Sequence, residues 1–153
     1  MKDHRNFIDA AAHLLKSRPD VHFLIVGGKH AAQNAYESAL KATSDVPSFS
    51  NNIHWLGPRL DPQKLMAACD LTTLTSSQGE GFPNAVAESL ACGTPVVATN
   101  IGDSAEIIGD PGKVVAIRDS KALSVAWDEV LSLDSNEMEA LGIDQTQAAE
   151  LRS

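Results

Sequence analysis

Apolar positions along the chain follow two different periods. Ile8, Ala11, Ala12, Leu14 and Leu15 recur at the spacing of one helix face, and the run SRPD ends that segment. VHFLIVGG (21–28) is a short β-rich run closed by glycines, as expected of a buried parallel strand. Residues 31–43 return to helical spacing, SDVPSFSNN is a loop, and IHWLG (53–57) is a second strand. Asp61-Pro62 opens a short helix over PQKLMAAC, with Asp61 as N-cap and Pro62 in the first turn. Strands follow at 70–75, 94–99 and 113–117, with helices at 83–92, at DSAEII and at 119–132. The tail from Ser135 is weakly helical, with few large apolar residues.

Strands alternating with helices across short connections predict βαβ units: an α/β fold of three layers, a parallel sheet covered on both faces. The 153 residues and 43% apolar content suit one domain with a core. In such sheets ligands gather at the carboxyl ends of the strands. VGGKH, WLGPR and GEGFP each follow such an end, so three glycine-bearing loops point at one rim.

Charge and composition narrow the chemistry. The formal net charge is −8, and the 12 lysines and arginines form no run or stripe, so nucleic acid and anionic membranes are poor partners. Cys69 and Cys92 lie in Ala-rich helical stretches without metal-ligand spacing and are expected to be buried small hydrophobes in a reducing cytosol. The five histidines form no HxxxH or HExxH pair, so no metal is expected. No signal peptide or long apolar run is present in the sequence. VGGKHA is not GxGxxG, and no acidic residue ends the next strand, which disfavours a dinucleotide-dependent dehydrogenase. GGKH lacks the upstream glycine and the Ser/Thr of a P-loop.

The stretch GEGFPNAVAE (79–88) asks for an explanation. Pro83 suits the first helical position, which leaves the amides of Gly81, Phe82, Asn84 and Ala85 as candidates to be free. A helix start with free N–H groups binds phosphate. Gly79 and Gly81 let the backbone approach a ligand and turn sharply. Glu88 lies one turn beyond Asn84 on the same face, roughly 7 to 8 Å along the axis from Pro83. That is the step from a diphosphate to its ribose, whose vicinal hydroxyls a carboxylate can accept. Glu80 stands across the phosphates. Each carboxylate alone also fits a solvated or dipole-favoured residue; together with the glycines and the strand end they describe a nucleotide-sugar site.

These residues also carry a resemblance. EGFPNAVAE resembles the Glu, seven residues, Glu motif of retaining glycosyltransferase family 4, whose members adopt the two-domain GT-B fold. KDHRNFIDAAAHLLKSRPDVHFLIVGG, IHWLGPR, LMAACDLTTLTSS, ESLACGTPVVATNIGDSAEIIGD and KALSVAWDEVLSL match it in order and spacing. The resemblance implies a Rossmann-like half of a GT-B fold: a single donor-binding domain over 1–153 that binds a nucleoside-diphosphate sugar for transfer with retention. It implies Glu80 on the donor sugar hydroxyls and Lys2 on the diphosphate as catalytic groups. Donor binding falls to Glu88 on the ribose, to Gly81, Phe82, Pro83 and Asn84 around sugar and phosphates, and to Gly27 and Gly28. Gly57 and Arg59 come from the LGPR loop, which flanks the base. Thr75 stands where the family often has proline.

The family has a further strand, central in its sheet, and an arginine ahead of the lysine, so the chain resembles a donor domain cut short at its amino end and, at AAELRS, at its carboxyl end. The partners implied are the nucleotide-sugar, an unspecified acceptor, and an amino-terminal GT-B domain in the full-length protein or on a companion chain, with no cofactor or metal. The location implied is cytoplasmic, peripheral to the inner membrane through that other domain. Two alternatives stand beside this: a non-catalytic nucleotide-binding or assembly module needing a separate amino-terminal chain, and a nucleotide-sugar epimerase, which shares the fold.

Overall fold

A computed structural model describes residues 2–27, 38, 42, 50–109 and 113–140. Gly28, most of the expected helix at 31–43 and the segment beyond residue 140 lie outside the described residues. Helix α1 (His4–Leu14) leads to β1 (Phe23–Val26), and a 3₁₀ turn at Ser50–Asn52 leads into β2 (Ile53–Gly57). Then come α2 (Pro62–Ala68), β3 (Thr72–Leu74), α3 (Asn84–Ala91), β4 (Val96–Thr99) and α4 (Ser104–Ile108). β5 (Lys113–Val115), α5 (Ser120–Leu131) and α6 (Ser135–Ala140) complete the order.

All strand pairings are parallel, as the alternation predicts. They form two sheets, however, not one: β1 with β2, and β3-β4-β5 with β4 in the middle. In the first sheet Phe23, Leu24 and Ile25 face Ile53, His54 and Trp55, and the register then slips so that Val26 meets Gly57. Gly57, at φ +66°, accommodates that irregularity at no steric cost and accepts a hydrogen bond from Gly27 N at 3.0 Å.

β4 is buried along its whole length, as a central parallel strand must be. Its alternation assigns the two faces. Val97 packs into a cluster with Ile8, Leu14, Phe23, Leu123 and Trp127, built by α1 and α5. Val96 and Ala98 pack with Val86 and Ile108 of α3 and α4. Trp127 anchors the larger cluster, its ring 5.2 Å from Phe7 and 5.5 Å from Phe23, with Nε1 donating to Thr73 Oγ1 at 2.9 Å.

Local details depart from expectation in instructive ways. Asp3 and Asp119 cap α1 and α5 by accepting from Asn6 N and Ala122 N. Asp61, expected to cap α2, makes no such bond; its carboxylate is taken by Arg59. Pro83 is the residue before α3 rather than its first helical residue. Cys69 and Cys92 sit half-buried at the carboxyl ends of α2 and α3, where Cys92 Sγ donates to Gln63 O at 3.7 Å, and not in the core. Among the described residues, no helix is long and apolar enough to cross a membrane.

Candidate functional site

The carboxyl end of β3 runs into Thr75, Ser76 and Ser77, all buried, and then turns at Gly79 (φ +78°). This turn delivers Glu80 to the rim. Residue Lys2 pairs with Ser76 as an isolated bridge, and Asp3 N donates to Thr75 O at 3.3 Å. The start of α1 is thereby fixed beside β3, and Lys2 Nζ donates to Glu80 Oε1 in an ion pair. Ser76 Oγ donates to the same oxygen at 2.6 Å. Both donors converge on Oε1, and among the described residues Oε2 has no hydrogen-bond partner.

Electrostatics at Glu80 follow from those contacts. Burial pushes its carboxyl up, but the hydrogen bonds from Lys2 and Ser76, with the ammonium charge, outweigh burial and hold the pKa below the usual glutamate range. A lowered folded value means that the stabilisation is full above the ordinary carboxylate pKa and is lost as pH falls through the folded one. Ser76→Ala and Lys2→Met are each expected to raise the Glu80 pKa, as read by carboxyl-carbon NMR titration. An unmoved titration in both would show that these donors do not set its charge.

A second loop backs the glutamate. Gly102, between β4 and α4, has φ +53°, and a Cβ there would stand 2.2 Å from Gly81 O and 2.7 Å from Glu80 O. Asp103 N donates to Gly81 O at 3.1 Å. The Gly81 carbonyl is thus turned toward this loop, and in a trans peptide the Phe82 N–H points the other way. A Cβ at Gly81 would meet nothing within 4 Å, and the Phe82 side chain is exposed. Behind them, Thr99 Oγ1 donates to Ser76 O at 2.6 Å.

Pro83 is buried, and the first helical bonds of α3 run from Val86 and Ala87 to Pro83 O. Asn84 and Ala85 therefore precede any intrahelical acceptor, and their amides form the positive mouth of α3. Glu88 lies one turn further and is half-buried, with Gln63 Nε2 donating to its Oε2 at 3.4 Å. Gln63 comes from α2.

The expected residues thus fall into two groups. Lys2, Glu80, Gly81, Phe82, Pro83, Asn84 and Glu88 gather around β3 and α3. Gly27, Gly57 and Arg59 gather at the ends of β1 and β2, with α2 between the groups. Arg59 is not free: it forks onto Asp61 at 3.0 and 3.1 Å, and this hydrogen bond with its charge holds the Asp61 carboxyl below its usual range. Ser76, Gln63 and Gly102 were not singled out by the sequence reading. The signal for Gly102 was present, because NIGD is a fourth glycine loop following a strand on the same rim.

The fold and rim define a Rossmann-like α/β domain, about half of a GT-B fold. Solved structures agree: the chain aligns with Anabaena Alr3699/HepE in complex with UDP at a TM-score of 0.84 and 27% identity, covering 99% of this chain and 42% of that one. The UDP-glucose complex of the same protein aligns equally well, at 0.84. A family model described as glycosyl transferases group 1 matches residues 1–132, and the chain belongs to that family. Among curated relatives, the lipopolysaccharide core biosynthesis mannosyltransferase LpsB of Rhizobium meliloti is 30% identical over 76% of this chain and 34% of its own length. The D-inositol 3-phosphate glycosyltransferase of Corynebacterium urealyticum is 32% identical over 83% of this chain and 31% of its own length. The chain spans about a third of the length of these relatives.

Proposed function

We propose that this chain is the donor-binding half of a retaining glycosyltransferase of the family 4 kind, and that the β3–α3 rim holds a nucleoside-diphosphate sugar. One observation carries the reading: an ionised carboxylate, steadied at one oxygen by Lys2 and Ser76, stands beside a helix mouth with unpaired amides, and a second carboxylate lies one turn along that helix. Structural neighbours that hold UDP and UDP-glucose support the same class of ligand.

In this reading the α3 amides and the Lys2 ammonium receive the diphosphate, stabilising the charge that develops as the bond from the anomeric carbon to the phosphate oxygen breaks. Glu80 orients the sugar through its hydroxyls, and Glu88 accepts from the ribose. The new bond forms from an acceptor oxygen to the same face of the anomeric carbon, and the acceptor proton passes to the departing phosphate oxygen. The acceptor and the domain that holds it come from outside this chain.

Calorimetric titration with UDP, GDP and ADP, together with a donor-hydrolysis assay, tests the proposal. Binding of one nucleoside diphosphate with slow or no sugar transfer is expected from the isolated chain. Absence of binding by all three would refute the donor site, and full turnover on an acceptor would refute the half-site.

A further inference from the structure

The division of five strands into two sheets leaves two edges without partners. Among the described residues, β1 pairs only with β2, and β3 pairs only with β4. Their remaining edges line one cleft of about 670 Å³, walled by residues 23–26 on one side and 71–75 on the other. Phe7 and Trp127 reach it from one helical layer, and Met66 and Val86 from the other. The cleft therefore lies in the plane of the sheets, between the layers.

Its walls are unfinished for a parallel sheet covered on both faces. Leu24 is 39% exposed and Val26 38%, where strands of that kind are normally buried on both sides. The direction of the two sheets is the same. α1 starts at the upper rim, where Lys2 and Asp3 contact Ser76 and Thr75, and descends for 11 residues before β1 climbs back. A strand lying between β1 and β3 would be parallel to both and could bond to both rows of peptide groups. No small apolar ligand satisfies two such rows.

We propose that this cleft is the docking site for one β-strand of the polypeptide that supplies the rest of the transferase. The strand is apolar on both faces and about four residues long, spanning roughly 13 Å at the rise of a parallel strand. Its carboxyl end lies at the rim beside Lys2, and its insertion joins the two sheets into one. Family membership and the length of the relatives, of which this chain covers 34% and 31%, supply the partner. The donor-site reading is not needed.

Hydrogen exchange read by mass spectrometry tests this on the full chain. One arm adds a synthetic peptide with a Val/Ile core flanked by lysines. The other fuses that same strand ahead of Lys2 through a glycine-containing turn, which raises its effective concentration. Amides of both β1 and β3 are expected to exchange about tenfold more slowly or better, with the protein still monomeric. Protection by the tethered strand alone supports the docking site with weak affinity. Val26→Asp puts a charge where the side chain is now part-exposed; it should leave the free chain folded and abolish the protection. Three results overturn the proposal: no protection with the tethered strand, protection at one edge only, or equal protection from self-association of this chain with no strand added. Nucleotide titration on the same samples reads the donor site separately.

Discussion

Gly102→Ala is expected to destabilise the domain by about 3 kcal/mol and to disrupt the rim with it. Two costs combine. A non-glycine residue at φ +53° loses roughly 1–2 kcal/mol. The added methyl would also overlap the carbonyl oxygens of Gly81 and Glu80, at 2.2 and 2.7 Å, and relieving such overlap typically costs about 1–3 kcal/mol. Against a total stability on the order of 5–15 kcal/mol this is large. The atoms in the way are backbone atoms of the residues that present the proposed sugar carboxylate, so the turn at Glu80–Gly81 has to move. A urea unfolding curve should show a lower midpoint at unchanged slope, and calorimetry should show weaker donor binding. A midpoint that stays put would mean that the two loops are not in contact as described.

The second large effect separates the two carboxylates. Glu88→Ala is expected to weaken binding of a bare nucleoside diphosphate by about ten- to a hundredfold, the loss of charge-assisted hydrogen bonds worth roughly 1.5–3 kcal/mol. Glu80→Ala should spare the bare nucleoside diphosphate and weaken only the donor that bears a sugar, because Glu80 addresses the other end of the ligand. Calorimetric titration of both variants with UDP and with UDP-glucose, the ligands held by structural neighbours, measures the split. If both variants bind like the parent, the assigned roles are wrong.

Much of this was written locally in the chain. Alternating periods placed every described strand and helix to within a few residues, because each period reports which face of an element is covered. Boundaries shrank at the ends: the strand expected over 70–75 is regular only at Thr72–Leu74, and the serines beyond it bend to present Glu80. Pro83 marked the start of α3, since its ring fits only there. Contacts between distant segments were not legible. Gly102 is indispensable to Gly81 only because the β4–α4 loop folds back on it. The capping role expected of Asp61 gave way to Arg59, two residues away, whose fork geometry competes better for the carboxylate than a backbone amide. The separation into two sheets was likewise invisible, because periodicity identifies strands and says nothing about which edges meet.

The Lys2–Glu80 contact has a consequence for the order of events at the rim. A lysine free in solvent surrenders up to about 2 kcal/mol of rotamer freedom when a ligand immobilises it. Here that loss belongs to folding, since the ammonium is already moored to a carboxylate. An arriving diphosphate finds a cation waiting at the doorway and trades one oxygen for another. In the same exchange Glu80 gives up its counter-ion and gains room for a hydroxyl, so the carboxylate keeps the seat warm for the anion that displaces it.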